Sequence, residues 1–542
     1  MADTIEKNTE QGNDALVAQH VIGIVGAGVM GRGIAQVAAQ AGFRVLMHDS
    51  QAGAADRARS AIGDTVARLV ERGRMSDDAR EQTLARLTPV TSVGELAPCT
   101  VVIEAIVEAL EPKRALFREL ETICSPDCIL ATNTSSLSVT AIAAACEHPH
   151  RMAGFHFFNP VPLMKVIEVV DGALTARAAG DTLMAIGRCF GHTPVRAQDT
   201  PGFIVNHAGR ALGTEGLQIL REAVADYPVI DQILREAAGF RMGPFELLDL
   251  IGLDVSHAVM ESIYRQYYEE PRYRPSPIGT QRVSAGLYGR KSARGGFYQY
   301  EKGVPLTRPE APAPTPAADS PAFWVSTKGG GAALLALVEQ LVEQRVEQRV
   351  GHTGAGQEAA GQASALRLDR GLRPAPDSIC LVAPLGEDAT SAALAEGLDP
   401  RRTVAVDTLF SLQSRRTLMT TPVTLPEVRS AAHALLAADG VRVSLIRDSA
   451  GFVAQRVVAL VINIGCEIAQ QRVAEPADID RAVTLGLGYP SGPLAWGDSL
   501  GADRVLAITE NLHAATGDPR YRPSPWLKRR TRLGVSLLTL ET

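Results

Sequence analysis

Short apolar runs alternate with stretches whose apolar residues recur at helical spacing over residues 20–195. The runs Val21–Val25, Arg44–His48, Thr100–Glu104, Cys128–Thr132, Met152–Phe157 and Lys165–Val170 read as strands. Alternation of this kind predicts an α/β, doubly wound parallel sheet. From Asp199 to about Tyr300 the strand-like runs largely vanish and long helical patterns take over, predicting a separate all-α domain. Lys302–Pro321 is a Pro/Ala-rich stretch that reads as a linker. The polar start, Met1–Gln19, reads as a disordered tail without the apolar segment of a signal peptide.

The chain then repeats itself. Asp199-Thr200-Pro201-Gly202-Phe203-Ile204-Val205 recurs as Asp448-Ser449-Ala450-Gly451-Phe452-Val453-Ala454. The same spacing carries Met242-Gly243-Pro244-Phe245 onto Ser491-Gly492-Pro493-Leu494, and Asp249 and Gly252 onto Asp498 and Gly501. Pro271-Arg272-Tyr273-Arg274-Pro275-Ser276-Pro277 returns intact at Pro519–Pro525. The helical domain therefore occurs twice. The segment between the copies should be a worn counterpart of the first sheet. It has Gly329-Gly330-Gly331 but no G-x-G-x-x-G, and Gly354–Pro376 is low in complexity.

The strand Val21–Val25 runs into Gly26-Ala27-Gly28-Val29-Met30-Gly31, and the next strand closes on Asp49. Gly26 permits a tight turn, Gly28 lets backbone approach a pyrophosphate, and Gly31 allows close helix–strand packing. The helix that follows offers unpaired N–H groups to that pyrophosphate. Asp49 would accept from ribose hydroxyls and repel a 2′-phosphate, so the expected cofactor is NAD. The expected domains are a tail (1–19), an NAD-binding domain (20–198), a helical domain (199–300), a linker (301–321), a degenerate Rossmann-like segment (322–445) and a second helical domain (446–542).

With 542 residues, 46% hydrophobic and 21% charged, the composition is that of an ordinary globular protein. A net charge of −6 argues against nucleic acid or an anionic membrane as the main partner. No apolar run approaches the roughly 20 residues of a membrane span. The seven cysteines form no metal-ligand pattern, so no metal is expected; they read as reduced thiols of a cytoplasmic protein.

Three features converge on one candidate site. Thr132-Asn133-Thr134-Ser135-Ser136 ends a strand, where an open parallel sheet binds ligands; a capped turn is the alternative. His156 ends another strand, beside aromatic residues. Glu168 stands alone in the apolar Val166-Ile167-Glu168-Val169-Val170, and a buried carboxylate needs a partner. His156 is the natural one, and such a bond fixes the imidazole tautomer; Lys165 or a loop cap is the alternative. Asn206 falls on the first turns of the helical domain, able to reach a ligand or only backbone.

Taken together, the segments VGAGVMGRGIA, VIEAIVE, LATNTSSLSVT, RMAGFHFFNPVPLMKVIEVV, DTPGFIVN, GFRMGPFELLDLIGLD and GRKS resemble the 3-hydroxyacyl-CoA dehydrogenases over residues 20–300. The resemblance implies that His156 is the catalytic base, Glu168 its orienting acid, and Ser135 and Asn206 the substrate contacts. It implies cofactor contacts at Gly26, Gly28, Val29, Met30, Gly31, Asp49, Glu108, Lys113, Ser135, Asn159 and Lys291, with acyl-CoA phosphate contacts at Thr65 and Arg72. Near Lys291 the chain is one residue longer than the usual pattern.

The length and duplication resemble the two-module bacterial subgroup of phenylacetate breakdown, which implies oxidation of 3-hydroxyadipyl-CoA, with 3-hydroxybutyryl-CoA as the alternative. In the second half Asn206 maps to Gln455, and Asp407 falls near the place of His156, so one active site per chain is expected. The second helical copy would cover the dimerising face of the first as an internal pseudo-dimer, leaving room for a homo-oligomer. A non-catalytic NAD- or acyl-CoA-binding protein is the rival from another class. A dehydrogenase of free β-hydroxy acids would lack the HFFNP strand.

Overall fold

A computed structural model describes residues 14–306, 309–315, 321–352 and 366–541. The chain forms two compact units, one of Met1–His207 with Ile468–Gly488 and Leu540–Thr542, the other of Ala208–Glu467 with Tyr489–Thr539.

The first unit is built on strands β1 (Val21–Val25), β2 (Arg44–His48), β3 (Leu87–Pro89), β4 (Val101–Glu104), β5 (Ile129–Thr132), β6 (Met152–Phe157), β7 (Val166–Asp171) and β8 (Thr193–Gln198). Their order is β3-β2-β1-β4-β5-β6-β7-β8. Neighbours are parallel except β6 and β7, which run antiparallel. Both faces are covered, as a parallel core requires: Val101 and Ile103 join one buried cluster and Val102 the other. β3 and β8 escape an apolar-run reading because they are edge strands; β3 has three residues including Pro89, and β8 carries Arg196 and Gln198.

The helices that matter here are α1 (Val29–Gln40), α2 (Ala54–Glu71), α3 (Leu110–Ile123), α4 (Val139–Ala143) and α5 (Val205–Ala208). The expected tail needs correction. Residues 1–13 lie outside the described residues, but residues 14–19 are helical, and Leu16 and Val17 pack against the sheet core. Two apolar residues on one helical turn suffice to dock it.

The second unit begins with α6 (Arg210–Arg221) and α7 (Tyr227–Glu236) and contains a second sheet. Its strands are β9 (Phe323–Val325), β10 (Ile379–Val382), β11 (Thr403–Val406), β12 (Arg415–Thr420) and β13 (Arg442–Ile446), in chain order across the sheet. As in β6–β8, β11–β12 is antiparallel and β12–β13 parallel. Among the described residues this sheet has no counterpart of the outer β2 and β3. Where α8 (Gly331–His352) leaves β9, a Cβ on Gly331 would stand 1.9 Å from the Ser326 carbonyl oxygen, as one on Gly31 would stand 1.7 Å from that of Gly26. The packing glycine is retained, and Lys328 stands at the place of Gly28. The linker is not wholly without anchorage: Glu310 pairs at 2.6 Å with Arg415, whose side chain is 1% exposed.

The repeated segments make matching contacts. In the first unit, next to α10 (Pro476–Leu487), which follows α9 (Ala454–Gln470), the Gln198 N–H donates to the Val473 carbonyl at 2.7 Å. In the second unit the corresponding Arg447 N–H donates to Val224 at 2.9 Å. Likewise Arg272 donates to the Arg522 carbonyl at 3.0 Å, and Arg520 to that of Arg274 at 3.1 Å.

Candidate active site

The glycine turn between β1 and α1 divides its tasks as the sequence requires. Gly26 has φ 100°, and a Cβ there would lie 2.5 Å from the Ala105 carbonyl oxygen. A Cβ on Gly28 would meet nothing within 4 Å. The protein itself gives no steric reason for that glycine, so the space suits a ligand that approaches the backbone. Gly28 is also the N-cap of α1 and supplies no side-chain cap, leaving the first N–H groups available to an anion. A cleft of about 760 Å³ opens here, lined by Gly26, Gly28, Arg32, Asp49 and Arg57 among others. Asp49 is locked by the Ala27 N–H at 2.7 Å and the Gln51 N–H at 2.9 Å, and its remaining lone pairs can serve ribose hydroxyls. These residues fit a dinucleotide with an unphosphorylated ribose. Gly28→Ala should therefore preserve folding and weaken NAD binding by about tenfold or more, whereas Gly31→Ala should disrupt the fold itself. Thermal melts and dinucleotide titration of the two variants separate these outcomes.

A second pocket, about 330 Å³, gathers Met30, Glu108, Lys113, Asn133, Ser135, His156, Asn159 and Asn206. The antiparallel register sets His156 opposite Glu168, and their side chains meet with Nδ1 2.7 Å from Oε2. Glu168 is fully buried. Its other oxygen accepts the N–H groups of Ile204 and Val205, at 2.9 and 2.8 Å. Three donors thus meet the cost of burying this carboxylate. The same bonds fix the imidazole so that Nε2 is the nitrogen left for a substrate. Phe158 packs against the imidazole in a tilted arrangement, 4.4 Å centroid to centroid with 57° between the ring planes.

The loop after β5 is held just as firmly. The Asn133 N–H donates to the Glu104 carbonyl at 2.9 Å, and its side-chain oxygen accepts the Phe157 N–H at 2.8 Å, beside His156. Glu108 Oε1 accepts from Thr134 Oγ1 (2.7 Å), Ser135 N (2.9 Å) and Ser136 N (3.1 Å). Asn206 Nδ2 donates to the Ser135 carbonyl at 3.4 Å. Asp199 caps α4 through Ser138, Val139 and Thr140, which fixes where the DTPGFIVN segment begins.

Burial works to raise the Glu108 carboxyl, but the Thr134 hydroxyl, the Lys113 ammonium and the Ser135 and Ser136 donors together hold it below the ordinary glutamate range. Lys113 is 1% exposed and lies 2.6 Å from Glu104 and 3.2 Å from Glu108. Glu104, also buried, accepts from Thr132 Oγ1 and from the Ile106 N–H, both at 2.7 Å. Sequence reasoning missed Glu104, although Val101-Val102-Ile103-Glu104 carries the same lone-acid signal as the strand around Glu168.

Several expected contacts line neither cleft. Thr65 turns its hydroxyl onto the Ala61 carbonyl of its own helix, α2, at 2.9 Å. Arg72 is the exposed C-cap of α2. Lys291 sits exposed in the second unit, in the turn after the helix Pro277–Ser284. Val29 is exposed at the first position of α1.

The second copy holds different chemistry at the corresponding places. The β11–β12 register extends to Asp407, whose N–H donates to the Thr417 carbonyl at 3.1 Å; these two residues stand where His156 and Glu168 stand in the first sheet. Gln455 takes the place of Asn206. It donates to Asp407 at 3.0 Å and to the Pro384 carbonyl at 3.2 Å, and accepts the Gly386 N–H at 2.8 Å. Here the side chains satisfy one another and leave no imidazole.

No helix among the described residues is long and apolar enough to cross a membrane. Residues 21–200 match the 3-hydroxyacyl-CoA dehydrogenase NAD binding domain, and residues 202–300 and 451–536 match the C-terminal domain of the same family. A 3-hydroxyadipyl-CoA dehydrogenase of Escherichia coli (strain K12) is 37% identical over 518 residues, covering 96% of this chain and 98% of that protein. A probable 3-hydroxybutyryl-CoA dehydrogenase of Deinococcus radiodurans is 42% identical over 278 residues, 51% of this chain and 99% of its own. The crystal structure of a 3-hydroxybutyryl-CoA dehydrogenase from Escherichia coli K12 superposes with a TM-score of 0.79 at 36% identity, covering 95% of this chain and 98% of that one.

Proposed function

The chain belongs to the 3-hydroxyacyl-CoA dehydrogenase family, and we propose that its one active site oxidises (S)-3-hydroxyadipyl-CoA in phenylacetate catabolism. NAD-dependent oxidation of a 3-hydroxyacyl-CoA is the activity of the family. The His156–Glu168 pair, beside Ser135 and Asn206, is the observation that carries the chemistry. The adipyl preference is supported by similarity along both modules to the Escherichia coli enzyme of that name. 3-Hydroxybutyryl-CoA is the second reading, favoured by the name of the half-length relative and of the full-length crystal structure.

NAD, when bound, supplies the hydride acceptor. His156 Nε2 takes the proton of the 3-hydroxyl as hydride departs from C3. Glu168 stabilises the imidazolium that results, and Ser135 and Asn206 keep the substrate oxygen in line. In the reverse direction His156 returns the proton to the 3-keto oxygen. Asp49, the turn Gly26–Gly31 with Val29 and Met30, Glu108, Lys113, Asn159 and Lys291 are the proposed cofactor contacts; Thr65 and Arg72 are the proposed contacts to acyl-CoA phosphates.

The two helical copies act as an internal pseudo-dimer. Support comes from the paired contacts Gln198–Val473 and Arg447–Val224, and Arg272–Arg522 and Arg520–Arg274. An isologous interface repeats each contact in this way. The protein is assigned to the cytoplasm; no disulfide among the described residues contradicts a reducing compartment.

The test follows NAD reduction with (S)-3-hydroxyadipyl-CoA and (S)-3-hydroxybutyryl-CoA side by side. A kcat/KM higher by about tenfold or more for the adipyl ester is expected. Preference for the butyryl ester would select the second reading. No turnover of either, with NAD bound, would overturn the dehydrogenase assignment in favour of a binding protein.

A further inference from the structure

Three ionisable side chains in and behind the 330 Å³ pocket take no part in the proton transfer just described. Lys113 and Glu108 line the pocket that also holds His156. Glu104 stands behind them, fully buried, with its carboxylate 2.6 Å from the Lys113 ammonium. Two carboxylates and one ammonium leave this cluster with a net charge of one negative unit. An ion pair buried this deeply is costly to assemble, and the third charge, on Glu108, stands beside it with its side chain 36% exposed.

The balance of the reaction gives this third charge a use. At C3 a C–H bond breaks and its electron pair leaves with the hydrogen, so the alcohol is oxidised and the nicotinamide ring is reduced at C4. At the oxygen the O–H bond breaks, the proton passes to His156 Nε2, and the C=O bond forms. The positive charge on the oxidised ring is lost as the imidazole gains one. Oxidation thus transfers a positive charge from the cofactor to the imidazole that Glu168 holds.

We infer that Glu104, Lys113 and Glu108 form a charge-balancing cluster that makes the pocket hold oxidised dinucleotide in preference to reduced. This rests on the reading that Lys113 and Glu108 face the bound cofactor. Glu108 is suited to the part, because its Oε1 is anchored by Thr134, Ser135 and Ser136 while its Oε2 faces Lys113. The negative pole is therefore fixed in place before the cofactor arrives. Such preorganisation makes a charge effective, even though the Glu108 side chain is itself 36% exposed. Glu168 holds the imidazole that gains the positive charge, so the two acids favour opposite sides of the same reaction.

The test is direct titration of NAD+ and NADH, without substrate, into the full-length protein and its variants, read as the ratio of the two dissociation constants. Glu108→Gln keeps the side-chain shape and should lower the preference for NAD+ by about tenfold; Glu104→Gln, one residue further back, should lower it by about fivefold. Lys113→Met removes the positive charge and should move the ratio the other way. Lys113→Arg keeps the charge and should leave the ratio near that of the wild type even where overall affinity falls.

Opposite shifts for the acidic and basic variants support the inference. Variants that weaken both dinucleotides equally would overturn it and leave the cluster a purely structural role. A wild-type protein that binds neither dinucleotide would instead overturn the cofactor reading on which it rests.

Discussion

His156→Ala lowers kcat by about 10²- to 10⁴-fold while NAD affinity stays within about twofold of the wild type. The imidazole is held by one bond, to Glu168 at 2.7 Å, and the glycine turn and Asp49 lie in the other cleft. Removing the base therefore removes proton transfer without touching the principal dinucleotide contacts. Glu168→Gln should also cut kcat, by about 10²-fold or more, because an amide cannot stabilise an imidazolium as an anion does. It has a second effect. One oxygen of Glu168 receives the N–H groups of Ile204 and Val205, and an amide that turns its own N–H₂ towards them leaves two donors unmatched. Thermal melts should show a loss for both variants, because His156→Ala in turn takes one of the three donors from the buried Glu168 carboxylate. Stopped-flow single turnovers and dinucleotide titration provide the check. A fall in NAD affinity as large as the fall in rate would sink the dyad.

Glu215→Ala destabilises the second unit by about 3–5 kcal/mol, because it leaves a buried arginine without its main counter-charge. Arg456 is 3% exposed and lies between the two helical copies, with Nε 2.9 Å from Glu215, Nη1 2.6 Å from Glu222 and Nη2 2.8 Å from the Tyr521 hydroxyl. The same hydroxyl donates to Glu215 at 2.7 Å. This network is one-sided: by the repeat spacing, His207 occupies the place of Arg456 in the first copy, and Ile464 that of Glu215 in the second. Glu215→Leu combined with Arg456→Met should recover most of the loss, since an apolar pair of similar volume does not bear the desolvation cost. Urea unfolding followed by tryptophan fluorescence measures both, because Trp496 and Trp526 belong to the same unit. If the double variant is no more stable than Glu215→Ala, the charge argument is wrong.

Much of the first sheet was legible because its inner strands are apolar runs with few alternatives. Glu168 stood out for the same reason, as a single acid in a strand otherwise fit for burial. Glu104 carried that signal too, but it ends its strand, where an acid also reads as an ordinary boundary. Lys113 could not be placed from its own segment: on an amphipathic helix a lysine reads as solvent-facing, and only its pairing with Glu104 buries it. β3 and β8 were missed because edge strands need no continuous apolar run. Helix 14–19 was missed because two apolar residues among polar ones carry little periodicity. Thr65 and Arg72 were reached by counting along α2, and the structure places both on that helix, Thr65 bonded to the Ala61 carbonyl and Arg72 at the C-cap.

The second copy kept the packing glycine Gly331 while the places of His156, Glu168 and Asn206 became Asp407, Thr417 and Gln455. A symmetric pair of half-length subunits would carry two working sites that could sense each other's occupancy. With the one site per chain proposed above, a single chain holds no second site to produce cooperativity, and binding to it is expected to follow a hyperbolic response. On the proposed pseudo-dimer reading, the second module exchanges that regulatory option for a permanently attached partner, whose local concentration does not fall when the protein is dilute.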